Sequence, residues 1–308
     1  MDYLISLVIP TNGISEWVIP VLDSIYSQSI SENLFEVIVV NNGDNTVFEN
    51  LMLKYSEKHN NLIYKKTDAD LFLNQIEGFK LARGSFIKFI NHRTILVQGA
   101  LQYLIDFVEK NESRHPITYF LNDTSEILIP NKITSEFDSF VYGLGKYSSW
   151  SGGVSCWRED LHEILTKSTI NNNDLFPHLI FVFFYKEDRD YLIDNTHLVQ
   201  EIPTEYAKKG KYDIFYAFGV QFVDAINKLE NQNMIFISTK EHILNENKKF
   251  LIYLYSTFVI LRKPCSYDLS SSRTSLNYFY DYKMIRRASF KRLVNRLKSR
   301  IRGKLIGK

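Results

Sequence analysis

The sequence predicts an α/β fold in which a mostly parallel sheet is flanked by helices. Two features of the first 110 residues carry this prediction. Short apolar runs, each closed by turn-forming residues, alternate with amphipathic segments of about 10–15 residues, which is the pattern of βαβ units. The runs are continuously apolar rather than alternating, and this is typical of strands buried on both faces.

The second strand shows the pattern most clearly. Residues 37–40 read Val-Ile-Val-Val, and Asn41 and Asn42 end the run because Asn tolerates left-handed backbone. The helix predicted before it, at residues 17–28, has its apolar residues three or four positions apart. Its Pro20 lies near the start, where proline is tolerated.

The remaining elements follow from the same two patterns. The predicted strands are residues 4–9, 37–40, 62–65, 86–90, 117–120, 126–130 and 199–203. The predicted helices are residues 17–28, 48–59, 71–82, 99–110, 158–168, 215–229, 241–261 and the chain from 284 onward, with 175–184 helical or buried. Residues 142–153, rich in Gly, Ser, Tyr and Trp, predict a loop.

Polar residues follow three of the predicted strands. Thr11 and Asn12 end the first, Asn41 and Asn42 end the second, and residues 91–93 (Asn-His-Arg) end the fourth. Open α/β sheets bind ligands at the carboxyl ends of their strands. We therefore expect a ligand site along this edge.

Charge is distributed unevenly along the 308 residues. Residues 283–308 contain eleven Lys or Arg and no Asp or Glu. Subtracting these eleven from 37 basic residues leaves 26 against 35 acidic ones, a net charge of −9 for the first 282 residues. An acidic body with a basic tail predicts an anionic partner for the tail.

Other features exclude several classes of protein. The two cysteines, Cys156 and Cys265, have no zinc-ligand or disulfide-framework spacing. The first residues lack a basic n-region, so we expect no signal peptide. The longest apolar run, residues 250–261, is too short to span a membrane.

Four segments, in this order, resemble the inverting glycosyltransferases of family 2, which have the nucleotide-diphospho-sugar (GT-A) fold. They are Leu7-Val-Ile-Pro-Thr11, Glu36-Val-Ile-Val-Val-Asn-Asn-Gly-Asp44, Asn74-Gln-Ile-Glu-Gly-Phe-Lys-Leu-Ala-Arg-Gly84 and Phe86-Ile-Lys-Phe-Ile-Asn-His-Arg-Thr-Ile-Leu96. Residues 151–158 are similar to the family's acceptor-side Gly-Gly segment. Bacterial enzymes that build surface polysaccharides such as O-antigen and lipopolysaccharide are the members that the chain resembles.

The resemblance implies a GT-A domain at residues 1–230, with a nucleotide-binding half at 1–110 and an acceptor half at 111–230. Residues 231–308 would be a helical extension. The implied activity is hexosyl or deoxyhexosyl transfer, with inversion, from a nucleotide-diphospho-sugar to a lipid-linked or polysaccharide acceptor. The alternative is a catalytically silent relative that binds a nucleotide or a partner through the same fold.

The resemblance also assigns a donor site. Its residues would be Pro10, Thr11, Asn12, Asn41, Asn42, Asp44, Asn74, Asn91, His92 and Arg93. Family members place an Asp pair at the nucleotide base, where this chain has Asn41 and Asn42. An amide offers both a donor and an acceptor, so cytosine is one candidate base and a CDP-linked sugar one candidate donor. The other reading of the two asparagines is ordinary turn chemistry.

Family members hold a divalent metal with Asp-x-Asp, where this chain has Asn91, His92 and Arg93. Mg²⁺ and Mn²⁺ prefer carboxylate oxygens, whereas an arginine suits phosphate oxygens directly. We therefore favour metal-independent transfer, with no cofactor or metal ligands, in which Arg93 and His92 take the metal's role. The alternative is Mg²⁺ or Mn²⁺ bound through Asn91 and carboxylates elsewhere.

Inverting transfer needs a general base near the acceptor hydroxyl. By position, Asp174 is the candidate, with His178 as the alternative base. Asp174 is as readily explained as an N-cap of a helix beginning at residue 175. Trp150, with Gly152 and Gly153, would form the acceptor platform, because the apolar face of a sugar stacks on aromatic rings.

In the tail, residues 283–308, apolar residues interleave with the cations. Such a helix is drawn to anionic lipid, and this predicts a cytoplasmic protein held peripherally at the inner face of the membrane, beside a lipid-linked acceptor. A solvated helix packed on the domain is the alternative. The acidic body argues against nucleic acid as a partner.

Overall fold

The computed structural model describes residues 3–124, 132–171, 174–205 and 210–306, with side chains as far as Ser299. The chain divides into two compact units, Met1–Ile202 and Pro203–Lys308. The predicted strand at residues 126–130 lies outside the described residues.

A five-stranded sheet forms the centre of the first unit. Its strands are β1 (Ile5–Thr11), β2 (Phe35–Asn41), β3 (Leu62–Lys66), β4 (Phe86–Phe89) and β8 (Ser155–Trp157). Their order is β3-β2-β1-β4-β8, and only the β4–β8 pair within this sheet is antiparallel. The sequence-predicted α/β architecture, a mostly parallel sheet flanked by helices, is confirmed.

Helices in the first unit connect and cover the strands. They are α1 (Ser15–Tyr26), α2 (Thr46–Lys58), α3 (Asn74–Leu81), α4 (Ala100–Asn111), α5 (Phe137–Leu144), α6 (Arg158–Lys167) and α7 (Leu179–Val182). Side chains from α1, α2 and α4 pack on one face of the sheet in a cluster that includes Val21, Phe48 and Leu104. Burial of this apolar surface is the main stabilising term for the unit.

Two small sheets complete the first unit. β5 (Thr94–Leu96) pairs antiparallel with β10 (Val199–Glu201). β9 (Tyr191–Asp194) lies between β6 (Ile117–Phe120), to which it is parallel, and β7 (Lys132–Thr134), to which it is antiparallel.

The second unit is helical where the structure describes it, apart from one isolated bridge between Asp213 and Asp268. Its helices are α8 (Ile214–Tyr216), α9 (Phe222–Asn231), α10 (Ile237–Leu254), α11 (Ser272–Phe279) and α12 (Tyr282–Ile306), with π-helical turns at Ala217–Gln221 and Tyr255–Ile260. None of the helices described in either unit is long and apolar enough to cross a membrane.

The structure corrects the sequence prediction for one segment and defines it more closely for another. The expected loop at 142–153 is wrong: it contains the end of α5 and two 3-10 turns, Gly145–Ser149 and Ser151–Gly153. The segment at 175–184, expected to be helical or buried, is largely buried, and its helix α7 is only four residues long. The boundary between the two compact units, at Ile202, reflects packing, since α9 packs with the helices that follow it. The functional limits of the GT-A domain stay a prediction.

A buried carboxylate fixes the register of the central strands. Glu36 on β2 is fully buried and accepts hydrogen bonds from the Ser6 hydroxyl on β1 (2.6 Å) and from the Arg83 N–H (2.6 Å) and Nε (2.8 Å). The Arg83-Gly84 turn immediately precedes β4. A Cβ at Gly84 would lie 2.7 Å from the backbone of Ile5, so only glycine fits this close approach.

We expect Glu36→Gln to cost about 3 kcal/mol of unfolding free energy, because its amide cannot accept all the donors that the buried carboxylate accepts. Urea unfolding measures this loss. The matched control is Glu77→Gln, whose carboxylate is half-exposed and paired only with Lys80 three residues away, and which should lose about 0.5 kcal/mol or less. Equal losses in the two variants would contradict the role of Glu36.

Candidate donor and acceptor site

The carboxyl ends of β2, β1 and β4 lie side by side and bring the predicted donor residues to one edge. Thr11, at the end of β1, is in register with Asn41 at the end of β2. On the other side, the Ile90 N–H donates to the Val8 carbonyl (2.8 Å), and His92 Nδ1 lies 3.0 Å from Thr11 Oγ1. The three polar segments therefore form one continuous rim.

Asn41 stabilises its own turn. Its Oδ1 accepts from the Gly43 N–H (2.8 Å), and its Nδ2 donates to the Gly43 carbonyl (3.1 Å) and to the Tyr64 hydroxyl (3.0 Å). The side chain is fully buried. The turn-chemistry interpretation explains all of these contacts, and the amide has no donor left for a base.

The Asn42 side chain uses its amide nitrogen within the protein. Its Nδ2 donates to the carbonyls of Ala69 and Leu71, both at 2.9 Å. Within the described part of the chain, its Oδ1 has no hydrogen-bond partner. Asn42 thus presents an acceptor at the rim, which can receive an N–H from any base that offers one.

The other predicted donor residues occupy different places on the rim. Pro10 lies inside β1, opposite Val40. Asn12 is exposed, and its carbonyl oxygen lies close to Gly43. A Cβ added at Gly43 would be 1.9 Å from that oxygen. The buried Asn74 donates to the Thr11 carbonyl (3.1 Å). Asp44 has a fully exposed side chain that accepts from Lys66 (3.0 Å).

His92 is a neutral contact of the first strand. Burial and the charge of Arg93 lower its pKa to about 3, so the imidazole carries no charge at neutral pH. Its ring packs edge-on against Trp17, with centroids 5.0 Å apart. His92 therefore adds no positive charge to the rim, and its expected role beside Arg93 stays a prediction.

Arg93 carries an unpartnered buried donor. Its guanidinium lies over the ring of Trp17 in α1, at 5.3 Å from the centroid. Nη1 is buried, and no side chain or backbone group in the described residues accepts a hydrogen bond from it. An unpaired cationic donor out of solvent is costly, and an anionic ligand would remove that cost.

The rim offers no carboxylate cluster. In the ranges that the structure describes, no group of three or more His, Cys, Asp or Glu is placed to hold a metal ion. Asn91, at the predicted metal position, uses its Oδ1 to accept from the Arg93 N–H (3.0 Å).

The predicted acceptor residues lie at the same edge. β8 runs antiparallel to β4 with Ser155 opposite Lys88, and the Phe89 N–H donates to the Val154 carbonyl (3.1 Å). The acceptor segment, which we define as residues 147–154, therefore ends beside the last residue of β4, shortly before Asn91.

Three buried side chains hold backbone carbonyls of the acceptor segment. Lys88 Nζ donates to the carbonyls of Gly152 (2.6 Å) and Val154 (3.3 Å). The Tyr119 hydroxyl lies 2.7 Å from the Tyr147 carbonyl and also contacts that of Trp150. His178 Nε2 lies 3.1 Å from the Ser149 carbonyl.

The two glycines of the segment allow aromatic rings to approach its backbone. A Cβ at Gly152 would lie 2.4 Å from the ring of Trp150, and one at Gly153 would lie 2.2 Å from the ring of Tyr119. Packing of these rings against the backbone thus explains why both positions are glycine. Trp150 is partly exposed beside them, and its role as a sugar platform stays a prediction.

The two candidate bases differ in accessibility. Asp174 is partly exposed, and its Oδ2 accepts from the Asn171 N–H (2.8 Å). It caps no helix, because α7 starts only at Leu179. His178 is buried, which lowers its pKa to about 4, and its Nδ1 has no partner in the described chain. Asp174 is the better placed to meet an acceptor from solvent.

Sequence reasoning missed Lys88, Tyr119 and Trp17. Lys88 alone left a signal, since it is a charged residue within an otherwise apolar predicted strand. Tyr119 and Trp17 resemble any core aromatic in the sequence, because their partners are a distant carbonyl and a guanidinium.

The sheet and the rim define an α/β fold of the GT-A type, and comparison with solved structures agrees. Residues 1–349 of S. aureus TarS in complex with UDP-GlcNAc match with a TM-score of 0.55 at 14% identity, over 90% of this chain and 79% of that one. The same protein in complex with UDP matches with a TM-score of 0.51 at 14% identity, over 89% and 78%.

Residues 6–128 match the family model described as Glycosyl transferase family 2, and the chain therefore contains a glycosyltransferase family 2 domain. A curated relative, the minor teichoic acid biosynthesis protein GgaB of Bacillus subtilis (strain 168), is 23% identical over 141 residues. That match covers 44% of this chain and 16% of the relative, so the chain spans a small part of GgaB.

Lys88 gives a pH-dependent test of the acceptor segment. Burial lowers its pKa from 10.5 to about 7, and the charge of Asp194 opposes the shift. Between these values the unfolded chain holds a proton that the folded chain has released, so stability rises with pH. We expect the unfolding free energy to rise relative to that of Lys88→Met by about 1 kcal/mol per pH unit above pH 7.

Urea unfolding at several pH values between the two pKa values measures this difference. Lys54→Met, at an exposed position on α2, is the control. The difference in unfolding free energy between the wild type and Lys54→Met should be the same at every pH. A constant difference between the wild type and Lys88→Met would contradict the buried environment of Lys88.

Proposed function

We propose that the protein is an inverting glycosyltransferase that moves a sugar from a nucleotide-diphospho-sugar to a hydroxyl of a cell-surface polymer or its lipid-linked precursor. The family 2 domain supports the reaction class. The observation that carries the proposal is the unpartnered Arg93 Nη1 on the rim where the strands β1, β2 and β4 end.

The donor would lie along the rim with its diphosphate at Arg93. The guanidinium is a permanent cation with donors suited to phosphate oxygens. It would stabilise the negative charge that grows on the leaving nucleoside diphosphate. Transfer would then be independent of a divalent metal, and His92 would contribute packing and the contact with Thr11 rather than charge.

The nucleotide base would be met by Asn42. Its free Oδ1 accepts an N–H, which both the cytosine amino group and the uracil N3–H provide. Since the amide donors of Asn41 and Asn42 are used within the protein, the rim gives cytosine no advantage over uracil. CDP- and UDP-sugars are therefore equal candidates, and TarS in its complex with UDP-GlcNAc is a precedent for the second.

On the acceptor side, Asp174 would act as the general base. Its carboxylate would take the proton from the acceptor hydroxyl as that oxygen attacks the anomeric carbon. The bond from the anomeric carbon to the phosphate oxygen breaks in the same step, and the nucleoside diphosphate leaves with the electron pair. A single displacement inverts the anomeric configuration. A cell-surface polymer is favoured as acceptor because the relative GgaB is described as a teichoic acid biosynthesis protein.

The second candidate function is a silent member of the fold that binds nucleotide without transfer. The loss of carboxylates at Asn91-His92-Arg93 favours it. Turnover of any sugar nucleotide by the purified chain would exclude it.

Replacement of Arg93 tests the donor site. Arg93→Met keeps the apolar contact with Trp17 and removes the charge, so we expect nucleoside diphosphates to bind roughly 10–100-fold more weakly. The free nucleoside should bind as before, and Arg93→Lys should recover part of the loss. Calorimetric titration measures all three. Arg114→Met, at an exposed position after α4, is the control, and equal diphosphate affinity in Arg93→Met and Arg114→Met would refute the assignment.

Replacement of Asp174 tests the acceptor side. Asp174→Asn should lower the turnover number roughly 10²–10⁴-fold, because the amide cannot take the proton. The affinity for the nucleoside diphosphate should not change. Asp106→Asn, on the outer face of α4, provides the control, and transfer at the wild-type rate by Asp174→Asn would remove it from the mechanism.

A further inference from the structure

Helix α12 presents two different faces over the part whose side chains are described. One face is docked on the second unit: Ile285 and Ser289 are fully buried, and the Ser289 hydroxyl donates to the Ile252 carbonyl (3.2 Å). Arg292 belongs to the same face, with its Nη1 donating to the Ser256 hydroxyl (2.9 Å) and its guanidinium 4.9 Å from the Tyr253 ring centroid. This face fixes the orientation of the helix.

The other face exposes an apolar stripe. Phe290, Val294 and Leu297 are spaced four and three positions apart and are 46%, 51% and 63% exposed. At 3.6 residues per turn, the centre of this stripe lies roughly 140° around the axis from the docked face. Docking of α12 thus accounts for Ile285 and Ser289 and leaves the stripe pointing away from the unit.

Cations flank the stripe. Arg287, Lys291 and Lys298 lie along one side of it at helical spacing, and the Arg286 guanidinium lies over the Phe290 ring at 5.9 Å on the other. The sequence of residues 283–308 contains no Asp or Glu that could neutralise them. An apolar stripe with a row of cations on one side and Arg286 on the other matches the two layers of an anionic bilayer surface, acyl chains below and phosphate groups above.

We propose that α12 binds the surface of an anionic membrane, with Phe290, Val294 and Leu297 in the headgroup–acyl boundary and Arg287, Lys291 and Lys298 against lipid phosphates. The docked face then sets which side of the second unit faces the bilayer. This binding does not depend on the glycosyltransferase activity, because no residue of the donor or acceptor site takes part.

Flotation of the full chain with vesicles tests the proposal. The chain should float with vesicles of equal parts phosphatidylcholine and phosphatidylglycerol and remain unbound with phosphatidylcholine alone. Replacement of Phe290, Val294 and Leu297 by serine should lower the partition coefficient roughly tenfold or more, because three buried apolar side chains are lost. Replacement of Arg287, Lys291 and Lys298 by glutamine should lower it roughly fivefold per charge.

Matched controls use exposed residues of the first unit. Serine at Val47, Leu53 and Ile133 removes the same kind of apolar surface, and glutamine at Lys54, Lys58 and Lys110 removes the same number of charges. Neither control should change flotation. Circular dichroism should show equal helix content in all variants, since every replaced residue is exposed.

Three results would overturn the proposal. The first is equal flotation of the wild type and the stripe variant. The second is equal binding to neutral and anionic vesicles. The third is a stripe variant that converts a dimer to a monomer in sedimentation while vesicle binding is unchanged, since the stripe would then be a contact between copies of the chain.

Discussion

The buried carboxylate of Glu36 holds together the part of the sheet on which the site depends. It joins β2 to Ser6 on β1 and to the Arg83-Gly84 turn that leads into β4. Because these contacts lie at one end of the three strands, they determine where the strands stop at the other end. Thr11, Asn41 and the segment after β4 are consequently level, and their polar groups form one rim. A shift of a single residue in any of these strands would turn its side chains to the opposite face of the sheet.

The chemical character of the rim follows from its charge. The Asn41 amide and the Asn91 Oδ1 are hydrogen-bonded within the protein, and His92 is neutral because burial and Arg93 disfavour its protonation. Arg93 is then the cation that faces the rim with an unpartnered donor, within the part of the chain described. A diphosphate bound there would meet a fixed charge of the protein. The acceptor segment lies beside the rim, and Lys88, Tyr119 and His178 hold its backbone carbonyls in place.

Much of the first unit could be predicted from the sequence, because β1 to β4 are short, mainly apolar runs closed by turn residues. β8 escaped prediction because three residues give no periodicity, and α5 because its glycine-rich end looked like a loop. The rim residues could be predicted from the sequence because each follows the end of a strand, whereas their contacts could not. Asn41 and Asn42 are the same residue type in the sequence, but in the structure Asn41 bonds to Gly43 and Tyr64, whereas Asn42 donates to the carbonyls of Ala69 and Leu71. Likewise, the sequence predicts a basic amphipathic tail but not which face packs on the second unit. The structure shows that the face with Ile285 and Ser289 is the buried one.

The central claim is that a cation of the protein, rather than a divalent metal, holds the donor diphosphate. Calorimetric titration of UDP and CDP into the chain, first in EDTA and then in Mg²⁺ or Mn²⁺, tests it most directly. We expect binding in EDTA with an affinity that added metal leaves unchanged. Binding that appears only when the metal is added would contradict it.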